Sequence, residues 1–378
     1  MKVAIERLFS ESYAESRNKF YASLEQVRLF WPEAEIRSYA IGKAEDNLAV
    51  EVIAAPALDR QDKVILLTSG LHGIEGYIGT AVIGLFIEEF LKTLDPANTG
   101  LFIVHAINPW GMWKRRRTNE NNVDLNRNFI YGWEAADASS DCRYDRINSF
   151  LNPSNPLKIS SRAFFGARLT YKMLPMGVKK FKEVTLMGQY LHPKGIYYGG
   201  RGYEASAQVM IDLFKELAAS CHRLLVLDMH SGYGPRYQMT IVNSINEPRD
   251  SLALQKAFGY PLVAKTNPFE FYAMQGDMVD FFYELVGKEF PELSFYGTSF
   301  EFGTLGEYPL DKLRSLKTMI DENRLFHHGT FSTGAELEVR KAFTELFIPQ
   351  EQRWREKALQ DARQALFGVL QCEGFRVS

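Results

Sequence analysis

The hydrophobic positions of this 378-residue chain form short apolar runs that alternate with longer amphipathic stretches. Val64–Thr68 and Leu224–Met229 are apolar at nearly every position, which is typical of strands buried on both faces of a sheet. Ser10–Phe30 and Ser206–Ala219 carry apolar residues at helical spacing. This alternation predicts an α/β fold in which a mixed, mostly parallel twisted sheet carries helices on both faces.

The same pattern predicts two more strands and two more helices, over Asn47–Ala54, Leu101–Ile107, about Tyr77–Leu94 and Gln350–Leu370. No repeat, low-complexity tract or Gly/Ser/Pro-rich linker divides the chain, so we expect a single domain over residues 1–378. Residues 131–200 mix turns, basic residues and aromatic residues without clear periodicity. We interpret them as a lid or a specificity insertion.

Charge and composition exclude several classes of function. Because 44 Lys and Arg face 46 Asp and Glu, the net charge of −2 gives no long-range field that would attract nucleic acid or an anionic membrane. The first ten residues lack a signal-peptide pattern, and no apolar stretch is long enough to cross a bilayer. Cys142, Cys221 and Cys372 lie far apart without disulfide-framework or metal-binding spacing. We therefore expect a soluble, cytoplasmic protein without nucleic-acid or membrane partners.

A His-x-x-Glu pair, His72 and Glu75, follows the predicted strand Val64–Thr68 in a glycine-rich turn. Imidazole and carboxylate are ligands of zinc in hydrolytic sites, where three protein ligands leave the fourth position for water. A third ligand is expected from another strand end, and His230 directly follows Leu224–Met229. The alternatives are a turn-capping histidine, a surface glutamate and a hydrogen-bonding histidine at a strand end.

A run dense in arginine and asparagine lies between these two segments. It contains the consecutive arginines Arg115, Arg116 and Arg117, followed by Val-Asp-Leu-Asn-Arg-Asn-Phe at residues 123–129. Planar guanidinium and amide groups suit a fork that grips a carboxylate and polarises a carbonyl group. A basic surface turn and a phosphate-binding site are the alternatives.

A single carboxylate, Glu301, lies between Phe300 and Phe302 in a strand-like segment. Apolar flanks raise the pKa of a carboxyl group, which is the direction that a general base working near neutral pH requires. An outward-facing strand residue is the alternative.

In combination, these motifs resemble those of the zinc carboxypeptidase (carboxypeptidase A-like) superfamily, which includes the aspartoacylase and succinylglutamate desuccinylase group. The resemblance rests on the His-x-x-Glu pair, an Asn-Pro-x-Gly turn at Asn108, an arginine ten residues before the arginine of Val-Asp-Leu-Asn-Arg-Asn-Phe, the strand-end His-Ser and the Phe-Glu-Phe-Gly segment. It covers about residues 64–310 and is greatest to an uncharacterised bacterial branch of the superfamily.

The resemblance implies a zinc centre with one ion per chain. It implies that His72, Glu75 and His230 are the zinc ligands and that Asp124 orients His72, in keeping with the need to fix a ligand's tautomer. It also implies that Glu301 acts first as base and then as acid.

The resemblance further implies a set of residues that contact the substrate. Arg117 is assigned to the polarised carbonyl oxygen by its spacing, with the two preceding arginines left open as alternatives. Asn126 and Arg127 are assigned to a terminal carboxylate, and Tyr272 is a looser match to the mobile tyrosine of the carboxypeptidases.

The predicted reaction is hydrolysis of an amide bond in a small peptide or an N-acyl amino acid. Zinc-bound water would attack the carbonyl carbon while Arg117 stabilises the oxyanion and Glu301 moves the proton. One alternative is an aspartoacylase-like deacylase, which would have an occluded, cationic pocket for a small acidic substrate. A second is a zinc-containing binding module without turnover, which would need a defect in the base or in the arginine fork.

Overall fold

The computed structural model describes residues 5–133, 142–158, 165–175, 177–266 and 274–377. Its strands are β1 (Glu35–Ile41), β2 (Leu48–Ala55), β3 (Lys63–Ser69), β4 (Thr99–Val104), β5 (Arg223–Ser231), β6 (Met239–Asn243), β7 (Val263–Lys265) and β8 (Ser294–Phe302). Within the described residues they form one sheet with the order β1-β2-β4-β3-β5-β8-β6-β7. The central strands β4, β3, β5 and β8 run parallel to one another, while β2 and β6 flank them antiparallel.

Helices surround this sheet. In the described ranges they are α1 (Tyr13–Arg28), α2 (Gly76–Phe90), α3 (Pro109–Lys114), α4 (Cys142–Leu151), α5 (Phe165–Met173), α6 (Val178–Leu186), α7 (Ala205–Ser220), α8 (Ser251–Phe258), α9 (Met278–Glu289), α10 (Pro309–His328), α11 (Thr333–Phe347) and α12 (Gln352–Cys372). None of the helices in these ranges combines the length and the apolar character that crossing a membrane requires.

The central strands are buried on both faces because successive side chains of a strand point to opposite sides of the sheet. Ile65 and Leu67 of β3 belong to a cluster with apolar residues of α1, α2, α8 and α12. Val64 and Leu66 belong to a second cluster, formed with α7 and α9. The predicted mixed α/β architecture with helices on both faces is confirmed.

A third apolar cluster lies beyond the carboxyl ends of the central strands. It is formed largely by α4, α5, α6, α10 and α11, with buried aromatic residues such as Tyr144, Phe181 and Phe343. Helices α4 to α6 lie in the segment 131–200, where the sequence showed no clear periodicity. A lid or specificity role for this segment stays a proposal, as does the single-domain organisation.

The sequence located most of the elements that it predicted to within about three residues. The main differences are at two carboxyl ends, since β4 ends at Val104 rather than Ile107 and α2 ends at Phe90 rather than Leu94. After Val104 the chain leaves the sheet, and after Phe90 it tightens into a 3-10 turn over Leu91–Thr93. Apolar residues continue past both ends, so hydrophobicity alone does not mark them.

We expect Gly368→Ala to destabilise the fold. Gly368 lies in α12 against the end of α8, and an added β-carbon would fall 1.8 Å from the Phe258 carbonyl oxygen. A backbone atom cannot move aside as a side chain can, so the free energy of unfolding should fall by about 1–3 kcal/mol. Denaturant unfolding measures the difference.

Gly287→Ala is the matched control, because Gly287 is an exposed helical glycine of α9 with open space around it. Alanine is the better helix former by about 1 kcal/mol, so this variant should be neutral or slightly more stable. Equal effects of the two substitutions would contradict the close packing of α12 on α8.

Candidate functional site

The candidate site lies where parallel strands end together. Pairing of β3 with β5 and of β5 with β8 places the three carboxyl ends at one edge of the sheet. Beyond β3, a 3-10 turn over Gly73–Glu75 begins directly after His72, while His230 of β5 is in register with Glu301 of β8. His72, Glu75 and His230 are buried, and one ligand atom from each lies within 4.8 Å of the others. The structure therefore brings the three predicted ligands together.

Close backbone packing fixes the turn that carries His72 and Glu75. Gly73 lies so near α3 that a β-carbon would fall 2.2 Å from the carbonyl carbon of Gly111. The Gly73 N–H donates to the Arg117 carbonyl oxygen at 3.2 Å. Only glycine fits where the two backbone segments come this close. The hydrogen bond also connects the arginine run to the turn that carries the candidate ligands.

A carboxylate accompanies each candidate ligand histidine. Asp124 Oδ1 lies 3.2 Å from His72 Nδ1, and the orienting role that the resemblance assigns to Asp124 stays a prediction. Asp228 Oδ2 lies 2.6 Å from His230 Nε2, and Asp228 Oδ1 accepts a hydrogen bond from the Thr68 hydroxyl at 2.6 Å. Sequence reasoning gave Asp228 no role. Its position two residues before a strand-end histidine was the available signal, because residues i and i+2 of a strand share a face.

Of the three consecutive arginines, Arg117 is the one beside the candidate ligands. Its Nη1 donates to Glu75 Oε1 at 2.9 Å, and its Nε donates to Asp124 Oδ2 at 3.0 Å. Arg116 instead pairs with a glutamate of α10, and Arg115 donates to a backbone carbonyl before α1. The structure therefore places Arg117 beside the candidate ligands, and its role at a substrate oxyanion stays a prediction.

The electrostatics of the site favour a cation. Burial and the negative charge of Glu75 raise the pKa of Glu301 to about 8. Burial alone would lower the pKa of His230, but the carboxylates of Asp228 and Glu75 outweigh it and hold that pKa well above its usual value. Burial and a neighbouring guanidinium lower the pKa of His72, which keeps a lone pair available. Two imidazoles and a carboxylate in a negative field fit a divalent metal ion.

A cavity of about 770 Å³ opens over these residues. His72, His230, Arg117 and Glu301 line its floor, and Glu301 Oε1 accepts a hydrogen bond from the Tyr233 N–H at 2.9 Å. Side chains of α5, α6 and α10, mostly apolar, line its walls. Part of the 131–200 segment therefore forms a wall of the cavity.

The predicted carboxylate fork is only partly directed at this cavity. Asn126 lines it, but its Nδ2 donates to Asp277 Oδ2 at 2.9 Å. Arg127 is fully buried and is not among the described residues that line the cavity. Its Nη2 donates to the Leu186 carbonyl at 2.7 Å. Tyr272 lies outside the described residues, so the roles of all three stay predictions.

Tyr197 is a cavity residue that sequence reasoning missed. It is buried, and its backbone is in the left-handed region, with φ of 57°. The guanidinium carbons of Arg117 and Arg127 lie 5.9 and 5.7 Å from its ring centroid. A non-glycine residue at positive φ is uncommon and costs about 1–3 kcal/mol, so such conformations often occur at functional sites. No sequence motif indicated this position.

Comparison with known proteins gives a family for the chain. A family model described as "Protein of unknown function (DUF2817)" matches residues 9–361. The chain belongs to this family.

A curated relative of this DUF2817 family member is murein peptide amidase A of Escherichia coli K12, which is 35% identical over 97 residues. The match covers 23% of the chain and spans 37% of the curated relative's length.

Solved structures similar to this DUF2817 family member include carboxypeptidase A of Helicoverpa armigera, with a TM-score of 0.48 and 14% identity, covering 89% of this chain and 73% of that one. Murein-tripeptide amidase of Escherichia coli O157 has a TM-score of 0.36 and 19% identity, covering 76% and 91% of the two chains. An aspartoacylase family protein of Mesorhizobium loti has a TM-score of 0.36 and 15% identity, covering 79% and 67%. A carboxypeptidase and an aspartoacylase family protein, whose groups the motifs also indicated, are thus among the structures that this chain resembles.

We expect Asp228→Asn to weaken metal binding about 10- to 100-fold, because the neutral amide holds the His230 imidazole less firmly and leaves it less basic. A competition titration of zinc against a chelator measures the dissociation constant. Asp145→Asn is the control, since Asp145 also faces a histidine, His192, at 3.1 Å but is 66% exposed and outside the cavity lining. Unchanged zinc affinity in Asp228→Asn would contradict the assigned role of Asp228.

Proposed function

We propose that the chain is a zinc-dependent hydrolase that cleaves an amide bond of a small peptide or an N-acyl amino acid. The observation that carries this proposal is the grouping of His72, Glu75 and His230 beside the buried carboxyl group of Glu301, at a cavity that His72, His230 and Glu301 line. The local match to a peptide amidase supports the same class of reaction.

The side chains divide the chemistry among them. Zinc held by His72, Glu75 and His230 would supply Lewis-acid activation of the carbonyl group and of water. Glu301 takes a proton from the attacking water as the C–O bond forms and delivers it to the amide nitrogen as the C–N bond breaks. Arg117 stabilises the negative charge that develops on the carbonyl oxygen. A neighbouring cation lowers the pKa of Glu301 and so favours its basic form.

The two rival functions have less support from the geometry. A deacylase for small acidic substrates predicts an occluded, cationic pocket, whereas the walls of this cavity are mostly apolar and enclose about 770 Å³. A binding module without turnover predicts a defect at Glu301 or Arg117, but both side chains lie at the site. A cytoplasmic location stays a prediction from the sequence.

We expect the zinc-loaded protein to hydrolyse members of a panel of C-terminally free peptides, C-terminally amidated peptides and N-acyl amino acids. Glu301→Gln should lower kcat about 100- to 10,000-fold and leave the bound zinc unchanged, because the proposed base is not a ligand. Turnover by mass spectrometry and zinc content by elemental analysis are measured on the same samples.

Glu322→Gln serves as the matched control, because Glu322 pairs with Arg116 and is absent from the described residues that line the cavity. Near-normal kcat in Glu301→Gln would remove Glu301 from the mechanism. Loss of zinc together with turnover would instead assign Glu301 a ligand or structural role. No hydrolysis of any panel member by the wild type would contradict the proposed function.

Arg117→Ala should lower kcat about 100- to 1,000-fold, because the variant lacks the donor for the developing oxyanion. Arg115→Ala should keep kcat near the wild-type value, since Arg115 donates to the Glu11 carbonyl instead. Steady-state kinetics on one panel substrate compares the two variants. A kcat defect in Arg115→Ala but not in Arg117→Ala would refute the assignment.

A further inference from the structure

Substrate carboxylates need a cation in the cavity, and few are available. Among the described residues that line the cavity, the arginine and lysine side chains are Arg117, Lys182 and Lys312. Arg117 is bound to two carboxylates next to the candidate ligands. Lys312 is exposed to solvent near the start of α10. This leaves Lys182 as the partly buried cation on the cavity wall.

Arg127, the residue that the resemblance assigns to a substrate carboxylate, is engaged elsewhere. Its Nη1 donates to the Asn126 carbonyl at 2.8 Å, and its Nη2 and Nε both donate to the Leu186 carbonyl. These bonds tie the Val-Asp-Leu-Asn-Arg-Asn-Phe segment to the end of α6. Recruiting Arg127 to a ligand would leave buried carbonyl oxygens without hydrogen-bond donors, which is unfavourable.

Lys182 has the opposite environment. It lies on α6, and its Nζ donates a hydrogen bond to the Tyr233 hydroxyl at 2.8 Å. No carboxylate within the described ranges forms an ion pair with it. Burial lowers its pKa, and the charge of Glu307, another cavity residue, only partly opposes this. An ammonium group in such a place is stabilised by an anion that enters the cavity.

The Tyr233 residue connects this cation to the reaction centre. Its hydroxyl accepts from Lys182, while its backbone N–H donates to Glu301 Oε1 at 2.9 Å. A carboxylate held by Lys182 would therefore lie near the side chain of Tyr233, whose backbone contacts the proposed base. Because Lys182 comes from the 131–200 segment, this arrangement also gives that segment a part in substrate selection.

We infer that Lys182, on α6, forms an anion subsite that binds a carboxylate of the substrate, so that the preferred substrates are amides that carry a free carboxylate. This inference deepens the proposed function and, for the kinetic arm of its test, rests on it. Lys182 is a specificity residue and takes no part in bond cleavage.

The test compares wild type, Lys182→Met, Lys182→Arg and Lys179→Met as full-length, zinc-loaded proteins. Lys179 is an exposed lysine of the same helix and is not among the described cavity residues, so it controls for loss of one positive charge. Lys182→Met should raise KM for a free-carboxylate panel substrate about tenfold or more, with kcat little changed. KM for the amidated form should not change, and Lys182→Arg should restore most of the lost affinity.

A binding measurement needs no turnover and separates this inference from the proposed function. Calorimetry with succinate and its diamide should show that succinate binds to wild type and to Lys179→Met, and binds at least about tenfold more weakly to Lys182→Met. Succinate binding that is unchanged in Lys182→Met, or absent from wild type, would overturn the subsite. An equal rise in KM for free and amidated substrates in Lys182→Met would also overturn the subsite. If no panel member is hydrolysed but succinate binding still depends on Lys182, the proposed function alone would be rejected.

Discussion

The parallel pairing of β3, β5 and β8 brings ionisable side chains together at one buried edge of the sheet. Each buried charge needs a partner, because an isolated one costs several kcal/mol. Asp228 therefore pairs with His230, and Asp124 pairs with Arg117. The turn that carries Glu75 packs against α3, and the Gly73 N–H donates to the Arg117 carbonyl. This packing holds the Arg117 guanidinium next to the carboxylates of Glu75 and Asp124.

This charge balance also explains why the site suits a metal ion. The carboxylate of Glu75 contacts both His230 and the Arg117 guanidinium, and its charge helps to raise the pKa of Glu301 to about 8. A divalent cation at the three candidate ligands would offset the excess negative charge. It would also lower the pKa of Glu301 and so favour the basic form that accepts a proton. The candidate metal site and the proposed base would thus depend on each other through electrostatics.

The proposed selection of substrates rests on a different part of the chain. Helices α5 and α6 cover the reaction centre with apolar side chains and contribute the cavity cation Lys182. The Arg127 side chain holds the end of α6 in place through the Leu186 carbonyl. Residues proposed to bind the substrate therefore come partly from a segment outside the sheet, while those proposed to carry out the chemistry lie at or near the strand ends.

The sequence by itself determined the α/β class, the central strands and the local motifs, because burial on both faces and short ligand spacings leave direct patterns in a chain. The sequence did not identify helices α4 to α6 in the 131–200 segment, because they are only 10, 9 and 9 residues long and such short helices depend on tertiary packing. Asp228 and His230 share a face of β5, so the strand pattern already offered their pairing. Only the tertiary structure decided which arginine lies beside Glu75 and that Arg127 is turned away from the cavity. The contacts of Arg117 and Arg127 join elements that are far apart in sequence, so they follow from packing and not from a local pattern.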